Sequence, residues 1–130
     1  MPKTARLFVT GASTLALVAA AAVVNTPAAH AGTDERITVK GGTVTFTHEG
    51  DYIDAYDLEK DGYCLTAELK VSDFLPISST TACGYNTYTY KSLSNINENV
   101  PVWLRACYTH KKSGGGYTRV KCSSWQGAHT

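Results

Sequence analysis

No stretch of this chain is apolar for long enough to cross a bilayer. Its longest run, Leu15 to Val24, holds ten strongly apolar residues, against roughly 20 for a membrane-spanning helix. Neither sign of charge is in excess: 12 Lys and Arg stand against 11 Asp and Glu, a net charge of +1. That balance removes the electrostatic case for nucleic acid or an anionic membrane as partner. Helical periodicity is missing beyond residue 31. The nucleophile elbow Gly-x-Ser-x-Gly does not occur, and no Cys-x-x-Cys pair is present to start a zinc site. Gly114-Gly115-Gly116 follows two lysines but lacks the spacing of a phosphate-binding loop and a helix after it.

What is present begins with a leader. Lys3 and Arg6 precede the apolar run, Asn25-Thr26-Pro27 breaks it, and Ala29-His30-Ala31 follows as a small-x-small cleavage pattern. Charged, apolar and small-residue regions in that order read as a secretory signal peptide over residues 1–31. The expected mature chain, 32–130, is a single domain of 99 residues. Its net charge is −1, because Lys3 and Arg6 leave with the leader and no acid does. The expected location is outside the cell, in solution.

Cys64, Cys83, Cys107 and Cys122 all lie in that domain. An even count in a small exported domain reads as two disulfides, with three possible pairings. A hairpin centred between Gly114 and Gly115 sets residues whose numbers sum to 229 opposite one another. That geometry favours Cys107–Cys122, and Cys64–Cys83 follows by elimination.

The rest alternates with period two. Arg36–Lys40 and Thr43–Thr47 flank Gly41-Gly42, and Tyr52–Tyr56 and Tyr63–Val71 flank the polar turn 57–62. Tyr85–Tyr90, Val100–Tyr108 and Tyr117–Trp125 are further β-rich runs, while Ser72–Cys83 reads as a loop around Pro76. Short strands with frequent turn signals give an all-β fold, a small disulfide-stapled antiparallel sandwich or barrel.

The polar turn carries a candidate calcium set. Asp57, Glu59, Asp61 and Glu68 stand at positions 1, 3, 5 and 12 of an EF-hand-type loop, with Gly62 at position 6. Glu59 in place of Asp or Asn, and β-rich flanks in place of helices, favour a plain hairpin turning at Asp61-Gly62. Glu68 is then expected on a solvated strand face, and no metal or cofactor is expected.

Catalytic constellations are thin. His48 sits beside Glu49 and Asp51 at a strand end, His110 approaches the glycine-rich turn, and His129 is next to the last residue. With every cysteine in a disulfide, no thiolate nucleophile remains. A non-catalytic protein is expected.

Aromatics are the richer class, with eight tyrosines and two tryptophans. Tyr85, Tyr88 and Tyr90 cannot share one strand face, so some are exposed, and exposed Tyr and Trp anchor protein and carbohydrate contacts. Tyr85, Tyr88, Trp103 and Trp125 are the candidate contacts. Ile37 and Val39 join them, because segment 32–47 has no cysteine staple and would be free to add as a strand to a partner's sheet.

Asp51-Tyr52, Asp61-Gly62-Tyr63, Ala67-Glu68-Leu69, Val102-Trp103-Leu104-Arg105-Ala106-Cys107 and Cys122-Ser123-Ser124-Trp125 together resemble small secreted β proteins of Streptomyces and related actinobacteria. Some of those are similar to the adaptor subunit of umbrella-shaped antibacterial toxin particles. The resemblance implies an adaptor between lectin-like and repeat-containing toxin subunits, with protein partners and no chemistry of its own. The rival expectation is a secreted inhibitor of a protease or amylase, presenting the Lys111–Gly114 tip.

Overall fold

Alternation decides the faces of every central strand. In β2 (Gly42–Thr47) Val44 and Phe46 are fully buried, and in β3 (Tyr52–Asp57) so are Ile53 and Ala55. In β4 (Cys64–Lys70) the same is true of Leu65, Ala67 and Leu69, and in β7 (Pro101–Lys111) of Val102, Leu104 and Ala106. Two sheets with such faces bury them by stacking, which is the sandwich solution. The computed structural model describes residues 32–94 and 96–130; the expected signal peptide lies outside them. No helix among the described residues is long and apolar enough to cross a membrane.

The remaining strands are β1 (Glu35–Val39), β5 (Ser78–Cys83), β6 (Thr87–Ser92), β8 (Tyr117–Cys122) and β9 (Gln126–His129). One sheet runs β1-β2-β3-β6 and the other β5-β4-β7-β8, with β9 also on β7; all pairings are antiparallel. The long β7 pairs with β4 along one edge. Its other edge takes β9 opposite Pro101–Leu104 and β8 opposite Cys107–Lys111. Ser123 fills the gap between them: its N–H donates to Ala106 O at 2.8 Å, and its Oγ accepts from Ala106 N at 3.0 Å.

Four expectations are corrected. Tyr52–Tyr56 and Tyr63–Val71 are not a hairpin, since residues 58–63 carry the chain from one sheet to the other. Turn residues reverse a chain without specifying which sheet it enters. Ser78–Cys83 is an edge strand rather than loop. Its hydroxyls bond across strands, Thr81 to Thr66 at 2.8 Å and Thr80 to Thr89 at 3.1 Å, so a Ser/Thr run needs no apolar alternation there. Tyr117–Trp125 is two pieces, β8 and the start of the link to β9. Tyr85 precedes β6, in a turn where Gly84 and Asn86 take left-handed φ values of 102° and 60°.

Two disulfides, Cys64–Cys83 and Cys107–Cys122, clip the edge strands β5 and β8 to the central strands of one sheet. They close loops of 19 and 15 residues, each contributing about 3 kcal/mol by restricting the unfolded chain. Such staples belong to an oxidising compartment.

Candidate functional site

The outer face of the five-stranded sheet is internally committed. Glu68 is the centre: its Oε2 accepts from Arg105 Nε at 2.7 Å and Nη2 at 2.6 Å, and its Oε1 accepts from Arg119 Nε at 2.6 Å. The carboxylate is 4% exposed, which corrects the expectation of a solvated Glu68. Burial is tolerable here because two guanidinium groups use both oxygens. The chain of contacts continues outward. The Arg105 guanidinium lies 4.3 Å from the Trp125 ring, and Lys70 Nζ lies 4.9 Å from Trp125 and 5.7 Å from Trp103. Both tryptophans are half-buried against cations of their own chain. They act first as clamps of this sheet.

The calcium set is not brought together. Glu68 is held in the sheet by its arginines. Asp57 is buried, with Oδ1 accepting the Glu59 N–H at 3.2 Å and Oδ2 the Gly84 N–H at 3.0 Å. Burial pushes the Asp57 pKa up, against the two backbone hydrogen bonds, and the Asp61 charge adds to the rise. Asp61 accepts the Tyr63 N–H at 2.9 Å, and Glu59 faces Lys40 at 3.9 Å. These carboxylates are turn-formers tying the sheet crossover to the β5–β6 turn. Among the described residues the one grouping of metal-type ligands is Glu68 with Cys107 and Cys122, whose sulfurs are bonded to each other.

Two of the histidines make defined contacts. His48 Nδ1 lies 2.6 Å from Asp34 Oδ1, which also accepts the His48 N–H at 2.8 Å. These hydrogen bonds hold the Asp34 carboxyl below its ordinary range. The His110 ring sits 4.4 Å from that of Tyr63.

The outer face of the four-stranded sheet is different in kind. Register sets Arg36, Thr45, Asp54 and Tyr90 in one row and Thr43, Tyr56 and Tyr88 in the next. Tyr88 and Tyr90 are 55% and 68% exposed, with rings stacked at 6.4 Å and 27°. Tyr56 meets Tyr88 edge-on at 6.3 Å, and its hydroxyl donates to Asn86 Oδ1. Burial raises the Asp54 pKa, with the Thr45 hydrogen bond and the Arg36 charge pulling the other way. Asp54 and its tyrosine frame carry no sequence motif; strand parity alone places Tyr52, Asp54 and Tyr56 on one face.

One end of the sandwich is apolar and open. Phe74 is 97% exposed, with Leu75 and Ile77 beside it in the β4–β5 loop. A cavity of about 500 Å³ adjoins them, lined by Leu69, Val71, Leu75, Leu93, Ile96 and Val100 together with polar residues that include Lys91, Ser92 and Asn97. The Phe74-Leu75-Pro76-Ile77 run was the missed signal, an apolar stretch in a segment otherwise reading as loop.

Of the other candidate contacts, Tyr85 is 64% exposed at the tip of the β5–β6 turn. Ile37 and Val39 pack against the core on β1, which pairs along its length with β2. Segment 32–47 is therefore an edge hairpin of this chain's own sheet rather than a free arm. Compared with family models, with curated proteins and with solved structures, the chain matches none.

Proposed function

We propose that this chain is an exported, non-catalytic binding protein that joins other secreted proteins. The observation that carries the reading is the apolar end of the sandwich, where the exposed Phe74, Leu75 and Ile77 lie beside a mixed, mainly apolar cavity. Leaving a Phe in water forgoes the 1.5–3 kcal/mol or so that its burial brings, and contiguous exposed apolar residues mark sites of protein contact. The two disulfides and the leader-like residues 1–31 support a place outside the cell. The bonded cysteines and the pairing of His48 with Asp34 support a role without chemistry. The resemblance to umbrella-toxin adaptors narrows the reading to a link between lectin-like and repeat-containing toxin subunits.

A second reading, a hydrolase inhibitor, draws on the β7–β8 tip. There Lys112 N donates to Gly116 O at 3.0 Å and Gly115 N to Lys112 O at 3.2 Å. These bonds give the tip more order than three glycines alone would, and ordered loops bind with a smaller entropic cost.

Affinity purification of the tagged protein from culture medium separates the two. The adaptor reading expects large co-secreted subunits with the wild type and their loss with Phe74→Asp. A lone monomer that blocks a protease or amylase, unaffected by Phe74→Asp and disabled by changes at Lys111 and Lys112, would overturn it.

A further inference from the structure

Two hollows lie side by side on the outer face of the four-stranded sheet. The larger, about 510 Å³, is lined by Arg36, Thr43, Thr45, Asp54, Tyr56 and Tyr88. The smaller, about 340 Å³, is lined by Gly50, Tyr52, Tyr88, Tyr90 and Ser92. Both are shallow and open to solvent, and they share Tyr88, which forms the ridge between them. The chemistry of the walls restricts what fits. One cation and one carboxylate share the larger hollow, so an anion meets Asp54 and a cation meets Arg36. A neutral ligand carrying groups that both donate and accept satisfies the two together. The stacked Tyr88 and Tyr90 rings add a flat apolar platform beside those polar groups. A pyranose ring has these properties at once: a C–H face for the aromatic platform and a rim of hydroxyls for Asp54, Arg36 and Thr45.

We propose that this face binds a neutral oligosaccharide, with successive rings in the two hollows and Tyr88 between them. Asp54 accepts from sugar hydroxyls, Arg36 donates to them, and Tyr88 and Tyr90 stack against the ring faces. Burial raises the pKa of Asp54, and burial together with the Asp54 charge raises that of Tyr88. This carboxylate thus lacks full compensation within the chain, and added hydroxyl donors would supply it. The smaller hollow borders the cavity beside the Phe74 end at Ser92, but Asp54, Arg36 and the tyrosine platform lie outside that cavity, so the site goes beyond the protein-binding reading.

The test is a ¹H–¹⁵N NMR titration of the disulfide-bonded protein with cellohexaose, maltohexaose and triacetylchitotriose. Each is taken to about 10 mM, enough to load a site of millimolar affinity. The expected result is saturable shifts from at least one probe, centred on β3 and β6. Tyr88→Ala and Asp54→Asn should each weaken that binding by about tenfold or more, while Phe74→Asp leaves it unchanged. Thermal melts of the variants confirm that they fold. Silence from all three probes, or shifts centred elsewhere, overturns the proposal. So does loss of a protein partner on Tyr88→Ala with no sugar response, which assigns the face to protein contact.

Discussion

Arg119 Nε donates to Glu68 Oε1 at 2.6 Å, although β7 lies between their strands. A bulge makes this contact possible. Cys107 faces Cys122 and Tyr108 faces Lys121, but the next pair is Thr109 with Arg119, leaving Val120 unpaired. A slip of one residue turns every later side chain to the other face. In a regular hairpin Val120 would share the outer face with Thr109, and Arg119 would point away from Glu68. The extra residue swaps them.

Replacing Glu68 by Gln is therefore expected to cost about 3 kcal/mol, the lower end of the range for removing one member of a buried ion pair. Arg119 keeps about half of its side chain in water, so Arg119→Ala should cost about 1 kcal/mol or less. Urea unfolding of both variants checks the order. Equal losses would show that Glu68 does not anchor the network.

Strand parity was legible where apolar and polar residues alternate, as in Thr43-Val44-Thr45-Phe46. Cys107 does pair with Cys122, but the hairpin is centred on Gly114 rather than between Gly114 and Gly115, and the bulge at Val120 is what brings the two cysteines opposite. The burial of Glu68 was not legible. Its partners Arg105 and Arg119 lie 37 and 51 residues away, and no local pattern announces a contact set by sheet order and a bulge. The crossover at 58–63 was hidden for a similar reason: Asp57 and Asp61 look alike in a hairpin turn and in a link between sheets. For the tyrosine face, single strands show which residues point outward, but only the β3–β6 register sets Tyr56 beside Tyr88 and Asp54 beside Tyr90.

Asp54 gives a pH signature of that face. Burial raises its folded pKa above the ordinary 3.8, so on raising the pH the unfolded chain releases this proton before the native state does. The unfolded state then binds fewer protons than the native one, and stability falls with pH across that interval. Asparagine has no proton to lose. Asp54→Asn should gain stability relative to wild type as pH rises from 3 through the raised pKa, and hold the gain at pH 7. Denaturant melts at both pH values test this. A difference that stays constant, or that shrinks with pH, contradicts the assigned burial effect.

The two staples should separate in their local effects. Cys64→Ser with Cys83→Ser, or Cys107→Ser with Cys122→Ser, is expected to cost about 3 kcal/mol in each case. Amide exchange distinguishes the pairs, because each disulfide holds a different edge strand. Losing the first should speed exchange in β5 and spare β8, and losing the second should do the reverse. Uniform acceleration with either pair would mean that the edges do not open independently.

Gly42 is the position where backbone approach is tightest. It starts β2 with φ at +148°, and a Cβ there would lie 1.9 Å from Tyr56 O. That oxygen belongs to the neighbouring strand β3, whose ladder with β2 begins at Gly42 and Asp57. An added methyl group must therefore push β2 and β3 apart, since backbone has no rotamer with which to yield. Gly42→Ala is expected to cost more than about 4 kcal/mol, the exceptional end of the range for single substitutions. Gly114→Ala, where nothing lies within 4 Å, should stay within about 0.5 kcal/mol of wild type. Parallel urea unfolding of the two variants decides the matter. A mild Gly42→Ala would mean that the β2–β3 ladder relaxes around the added methyl group at little cost.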